Sequence, residues 1–121
     1  MNTFINNKLI DDIIVVANEK VKRQIKNFTS KKVQVVLGGK TRQESVSNGL
    51  NSLNYENNDL IIIHDGARPL IDDKIIKNSI NAAKKYGAAT TAIPVEDTIA
   101  KVANSNSIDD FIKRDDLFKI Q

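Results

Sequence analysis

Two short clusters carry most of the chemistry this chain can offer. The first, His64-Asp65-Gly66-Ala67-Arg68-Pro69, sets a carboxylate and a guanidinium three residues apart around a glycine. A carboxylate just past a buried strand is suited to hold Mg²⁺ on nucleotide phosphates. A guanidinium grips a phosphate through its planar fork of donors. Gly66 permits close backbone approach, and Pro69 stiffens the turn. The plainer alternative is an Asp65–Arg68 ion pair that only braces a loop. His64, the sole histidine, reads as packing or hydrogen bonding at a strand end rather than as an acid–base group.

The second cluster is Gly38-Gly39-Lys40-Thr41-Arg42-Gln43-Glu44-Ser45. Two glycines precede a helix start, where free N–H groups and the positive end of the helix dipole attract anions. Lys40, Arg42 and Ser45 add donors, an arrangement that suits a nucleotide. A glycine turn leading into a solvated basic helix start explains the same residues equally well. Farther on, Pro94-Val95-Glu96-Asp97-Thr98 offers Asp97 and Thr98 to a substrate, although a simple turn accounts for them. Lys113 and Arg114 read locally as a solvated charge pair.

These clusters need elements to position them. Asp12–Ala17 and Lys32–Leu37 are short β-branched runs, the mark of strands buried on both faces and hence parallel. Between them Val21, Ile25 and Phe28 share one face of a helix over Glu19–Phe28. Thr41 and Glu44 form a capping box, with Val46, Leu50 and Leu53 on the buried face of the helix that follows. Leu60–His64 is the strongest strand signal in the chain. Asp72 N-caps a helix from Asp73 to about Lys85, with Ile75, Ile76, Ile80 and Ala83 facing inward, and Gly87 closes it. Ala88–Val95 reads as a fourth strand. Thr98–Val102 is a short strand, 104–107 a turn, and 108–121 a mixed segment with a returning strand. Alternation of this kind implies an α/β fold: a Rossmann-like open, mostly parallel sheet with helices on both faces. In such sheets ligands bind at the strands' carboxyl ends, where both clusters lie.

Composition narrows the partners. The 121 residues are enough for one domain. There is no cysteine, which excludes disulfides and thiolate chemistry. No apolar run approaches the roughly 20 residues of a membrane span, and MNTFINNK offers no signal-peptide core. A net charge of +3, with no tryptophan, two tyrosines and four phenylalanines, argues against nucleic acid but suits a small polyanion.

Four blocks in order, GGKTRQESVSNGL (Gly38–Leu50), IIIHDGARPLI (Ile61–Ile71), AIPVEDTIAKV (Ala92–Val102) and RDDLFKIQ (Arg114–Gln121), resemble the 2-C-methyl-D-erythritol 4-phosphate cytidylyltransferase family. The resemblance implies a nucleotidyltransferase-type fold with a projecting β-arm. It divides the chain into an α/β core over 1–95, an arm for dimerisation over 96–116 and a return to the core over 117–121. It implies transfer of CMP from CTP to the methylerythritol phosphate in non-mevalonate isoprenoid synthesis, with Mg²⁺ or another divalent cation and a homodimer. The setting would be the bacterial cytoplasm or a plastid-type organelle, with no membrane partner.

Carried over by position, Gly39, Lys40 and Ser45 would border the cytidine, with Lys40 standing where an acidic residue is common. Asp65 would sit by metal and phosphates with Gly66 nearby, where alanine is common. Arg68 and Thr98 would touch the alcohol phosphate, and Arg114 would reach it in the neighbouring subunit. Asp65, Arg68 and Arg114 are thus the expected catalytic groups. The family's opening glycine-rich loop, of the AAGxGxRM kind, has no counterpart before Met1, and its closing helices have none after Gln121. The resemblance therefore implies a central portion with little activity alone. A ribitol-5-phosphate cytidylyltransferase is the nearest alternative, disfavoured by Ala67 and Leu70. A non-catalytic nucleotide-binding or interaction module is the other.

Overall fold

In the computed structural model, residues 1–25, 32–103 and 106–120 are described. They fall into two compact units, 1–77 and 78–121. The first contains α1 (Asn2–Asn6), β1 (Ile13–Ala17), α2 (Glu19–Ile25), β2 (Val33–Leu37) and α3 (Arg42–Asn51). It also holds the start of α4 (Asp73–Tyr86).

β1 and β2 pair in parallel, from Ile13 opposite Val33 to Ala17 opposite Leu37. Parallel neighbours need a crossover, and α2 supplies it. The Asn18 side chain caps α2 by accepting from the Val21 N–H at 2.9 Å. The expected C-terminal part of this helix, including Phe28, lies outside the described residues. Both α2 and α3 pack against the strand pair. The inner face of α3 comprises Ser45, Val46, Gly49 and Leu50, and Leu53, expected on the same face, follows the helix end. Gly49 is the buried member, and a Cβ there would stand 2.9 Å from Val16 Cγ2. Absence of a side chain is what brings this helix close to β1.

Asn7, the buried polar residue at the end of α1, ties together segments far apart in sequence. Its amide donates to Asp73 Oδ1 at 2.6 Å. Its side-chain oxygen accepts from the Leu9 N–H at 2.8 Å, and its carbonyl accepts from Lys32 Nζ at 3.1 Å. A buried amide is tolerated because these groups are satisfied. Asp72 then caps α4 as expected, accepting from the Ile75 N–H at 2.7 Å.

One expected element is absent. Leu60–His64 belongs to no strand, and its residues pair in no ladder among those described. β-branched residues favour an extended backbone, but a strand also needs a neighbour to take its N–H and C=O groups. Without one, the run lies against solvent, with Ile63 59% exposed. Among the described residues the parallel sheet is accordingly represented by the single pair β1–β2.

The second unit holds most of α4, then β3 (Ala92–Pro94), β4 (Ile99–Val102), β5 (Ile108–Ile112) and β6 (Phe118–Ile120). Gly87 ends α4 in the left-handed conformation, φ +86°, and its N–H reaches the Ala83 carbonyl at 2.8 Å. The strand expected over Ala88–Val95 contracts to three residues and pairs antiparallel with β6, Ala92 opposite Ile120. β4 and β5 form an antiparallel hairpin, with an irregularity between Lys101 and Val102. Asn106 takes the left-handed conformation in its turn, φ 58°, which asparagine tolerates. Asn104 and Ser105 of the expected turn lie outside the described residues.

Burial separates the isoleucines sharply: Ile76 is 1% exposed. Ile76→Ala is expected to lower unfolding free energy by about 2–5 kcal/mol. Ile63→Ala is expected to change it by less than about 1 kcal/mol. Urea titration of both variants is the check.

Candidate functional site

The carboxyl end of β2 runs straight into the glycine loop. The Gly38 N–H extends the parallel pairing by reaching the Ala17 carbonyl at 3.0 Å. The next two N–H groups turn toward the first turn of α3. Gly39 donates to Ser45 Oγ at 3.0 Å, and Lys40 donates to Glu44 Oε2 at 2.6 Å. Ser45 Oγ in turn donates to the Thr41 carbonyl at 2.8 Å. Thr41 Oγ1 accepts from the Glu44 N–H at 3.1 Å, the expected N-cap.

Glu44 reaches back one residue farther than a simple capping box would, to Lys40 rather than to Thr41. The loop amides expected to await a ligand are therefore held by the helix's own side chains. Gly39 is required for this closeness, since a Cβ there would fall 2.3 Å from Glu44 Cβ.

The second cluster meets the first through Arg42, the opening residue of α3. Its Nη2 donates to Asp65 Oδ1 at 2.9 Å, across 23 residues of sequence. Arg68 Nε lies 3.9 Å from the other oxygen, Asp65 Oδ2, and the Arg68 N–H closes the turn on the Asp65 carbonyl at 3.0 Å. The hydrogen bond and charge of Arg42 hold the Asp65 carboxyl below the usual aspartate range, with Arg68 adding to the effect. Open space surrounds the Gly66 Cα, leaving room for a ligand to approach. His64 packs its ring on Phe4, centroids 5.0 Å apart, so it serves packing. Sequence reasoning counted Arg42 among generic donors and missed its pairing. Only the contact across the two loops reveals it.

Among the described residues, no group of three or more His, Cys, Asp or Glu side chains converges as a metal cage. Asp65 is a single carboxylate. Mg²⁺ characteristically takes one or two carboxylates and completes its shell with water and substrate phosphates. The donor set therefore fits a cation that arrives on a nucleotide, not one held by protein ligands alone.

In the second unit, Thr98 and Arg114 line one shallow cleft with Phe111, Ile112, Lys113 and Asp115. A guanidinium N–H of Arg114 donates to the Glu96 carbonyl. Asp97 accepts from Lys119 Nζ at 2.9 Å, tying the segment after β3 to β6. The hydrogen bond and charge of Lys119 hold the Asp97 carboxyl below its usual value.

Two outcomes test these arrangements. In the folded chain, Asp97 is expected to titrate below an unpaired aspartate, and Lys119→Gln to move its midpoint up, as read by carboxyl NMR. Because the folded midpoint is depressed, the pair's contribution is present at neutral pH and lost as pH falls through that midpoint. Gly39→Ala is expected to displace Glu44, freeing the Lys40 N–H to faster hydrogen exchange.

The chain matches the family described as 2-C-methyl-D-erythritol 4-phosphate cytidylyltransferase over residues 1–121. It is 40% identical over 127 aligned positions to the 2-C-methyl-D-erythritol 4-phosphate cytidylyltransferase of Clostridium novyi, covering 100% of this chain and 54% of that protein. It is 38% identical to a ribitol-5-phosphate cytidylyltransferase of Vibrio parahaemolyticus, covering 91% of this chain and 49% of that protein. The crystal structure of a 4-diphosphocytidyl-2C-methyl-D-erythritol synthase from Anaerococcus prevotii superposes with a TM-score of 0.87 at 29% identity, covering 99% of this chain and 54% of that one. The chain spans about half the length of these relatives. With the α/β fold, the glycine loop and the HDGARP turn all in place, it belongs to the 2-C-methyl-D-erythritol 4-phosphate cytidylyltransferase family.

Proposed function

We propose that this chain carries part of the site that transfers CMP from CTP to 2-C-methyl-D-erythritol 4-phosphate. The observation that carries the reading is the junction of the two loops at Asp65, where Arg42 joins the carboxylate and Arg68 flanks it. Two guanidiniums beside one carboxylate offer charged donors that suit a polyanionic ligand. Family membership and relatives of that name support the choice of substrates.

The reaction is an in-line displacement. A phosphate oxygen of the alcohol phosphate forms a bond to the α-phosphorus of CTP as the bond to the β-phosphate oxygen breaks. The products are the CDP-alcohol and pyrophosphate. Protein groups need only align the reactants and stabilise charge on the phosphate oxygens.

Gly39, Lys40 and Ser45 border the base and ribose, at the cost of exchanging the loop's internal hydrogen bonds for contacts with the nucleotide. Asp65 is placed to hold a divalent cation, and Gly66 leaves space beside it. A bound Mg²⁺ would neutralise phosphate charge and orient the triphosphate. Arg68 is proposed to contact the alcohol phosphate, as is Thr98, and Arg114 to reach it in the neighbouring subunit. The β4–β5 hairpin supplies the projecting arm, and its exposed Val102, Ile108, Phe111 and Ile112 suit pairing with a second copy. No described helix is long and apolar enough to cross a membrane. The bacterial relatives favour a bacterial over a plastid setting.

Calorimetry with CTP, with and without Mg²⁺, tests the reading directly. Heat that depends on Mg²⁺ is expected, and no heat in either condition would support a non-catalytic module instead. Pyrophosphate release with methylerythritol phosphate against ribitol phosphate separates the two related substrates. In protein that turns over, Asp65→Asn is expected to lower kcat by roughly 100-fold. Arg68→Ala is expected to raise KM for the alcohol phosphate about tenfold, through loss of a charged hydrogen bond, with CTP binding nearly unchanged.

A further inference from the structure

Arg42 occupies a place that a cation would need. Its Nη2 lies 2.9 Å from Asp65 Oδ1, and the second oxygen of the same carboxylate faces Arg68 Nε at 3.9 Å. Any divalent ion approaching Asp65 therefore meets two positive groups beside it. Charge repulsion at such distances is felt even near a solvated surface, and it doubles for a doubly charged ion.

We infer that Arg42 is a positioning and selectivity residue: it holds Asp65 oriented between the two loops and bars free divalent cations from it. This rests on the proposed role of Asp65 and adds a condition to it. A cation gains the carboxylate only together with a phosphate, because the phosphate takes up the displaced guanidinium. Arg42 opens α3 and stands between Thr41, whose side chain caps the helix, and Glu44, which clamps the Lys40 N–H. Movement of Arg42 off Asp65 thus starts at the turn that shapes the glycine loop, so nucleotide seated there and cation held at Asp65 would reinforce one another.

The test uses Mn²⁺ as probe, titrated into the whole chain and followed by electron paramagnetic resonance, which needs no turnover. Arg42 is 71% exposed in its side chain, so its replacement leaves the fold intact by circular dichroism. Arg42→Gln is expected to bind Mn²⁺ alone about threefold to tenfold more tightly than the unaltered chain, by the strength of exposed charge pairs. Arg42→Lys, which keeps the charge, should stay near the unaltered value. The gain should vanish in Arg42→Gln/Asp65→Asn. Unchanged, weaker or undetectable Mn²⁺ binding in Arg42→Gln overturns the inference, as does a gain that survives loss of the Asp65 carboxylate.

A second series with CTP present keeps the two readings apart. The advantage of Arg42→Gln should then shrink or reverse, since the phosphates have lost a cationic partner. Failure of CTP to bind any form would count against the proposed function, while the Mn²⁺-only series would still decide the role of Arg42.

Discussion

The site side of the first unit depends on where α3 begins. Thr41 Oγ1 takes the Glu44 N–H, and that single hydrogen bond fixes the first turn. From it Arg42 projects to Asp65, Glu44 folds back to the Lys40 N–H, and Ser45 faces the Gly39 N–H. A helix starting one residue earlier or later would rotate these side chains by about 100° and dissolve the arrangement. The N-cap is a local interaction worth only about 1 kcal/mol, yet it sets the directions on which the longer-range contacts rely.

Features settled within a few residues were legible in the sequence. Thr41 and Asp72 as caps and Gly87 as the end of α4 all appear where local chemistry placed them. The reason is that a cap needs only a side-chain oxygen and an N–H three residues on. The strand over Leu60–His64 failed the same reasoning because pairing is a property of two segments, and the second is invisible in the composition of the first. Arg42 escaped for a related reason. Its partner lies 23 residues away, and nothing in TRQES distinguishes an arginine facing solvent from one facing a carboxylate. Gly49 was hidden differently: glycine in a helix reads as a weakness until the nearness of Val16 explains it.

The chemistry suits a family that handles two phosphorylated partners. Nucleotidyl transfer asks little of acid–base groups and much of placed charge. The first unit supplies Arg42, Arg68 and Asp65 around one point. The second supplies Thr98, Lys113 and Arg114 around another. Lone His64 is engaged with Phe4, in keeping with chemistry that requires no imidazole.

The uncovered isoleucine run has a consequence for the chain in bulk. Leu60, Ile61, Ile62 and Ile63 are apolar, exposed and without a ladder among the described residues, a combination that favours intermolecular strand pairing. Asp59 and Asp65 bracket the run with negative charge, acting as gatekeepers against such stacking. Resistance to such stacking thereby draws on two carboxylates, one of which is also the group proposed to hold a cation on the nucleotide.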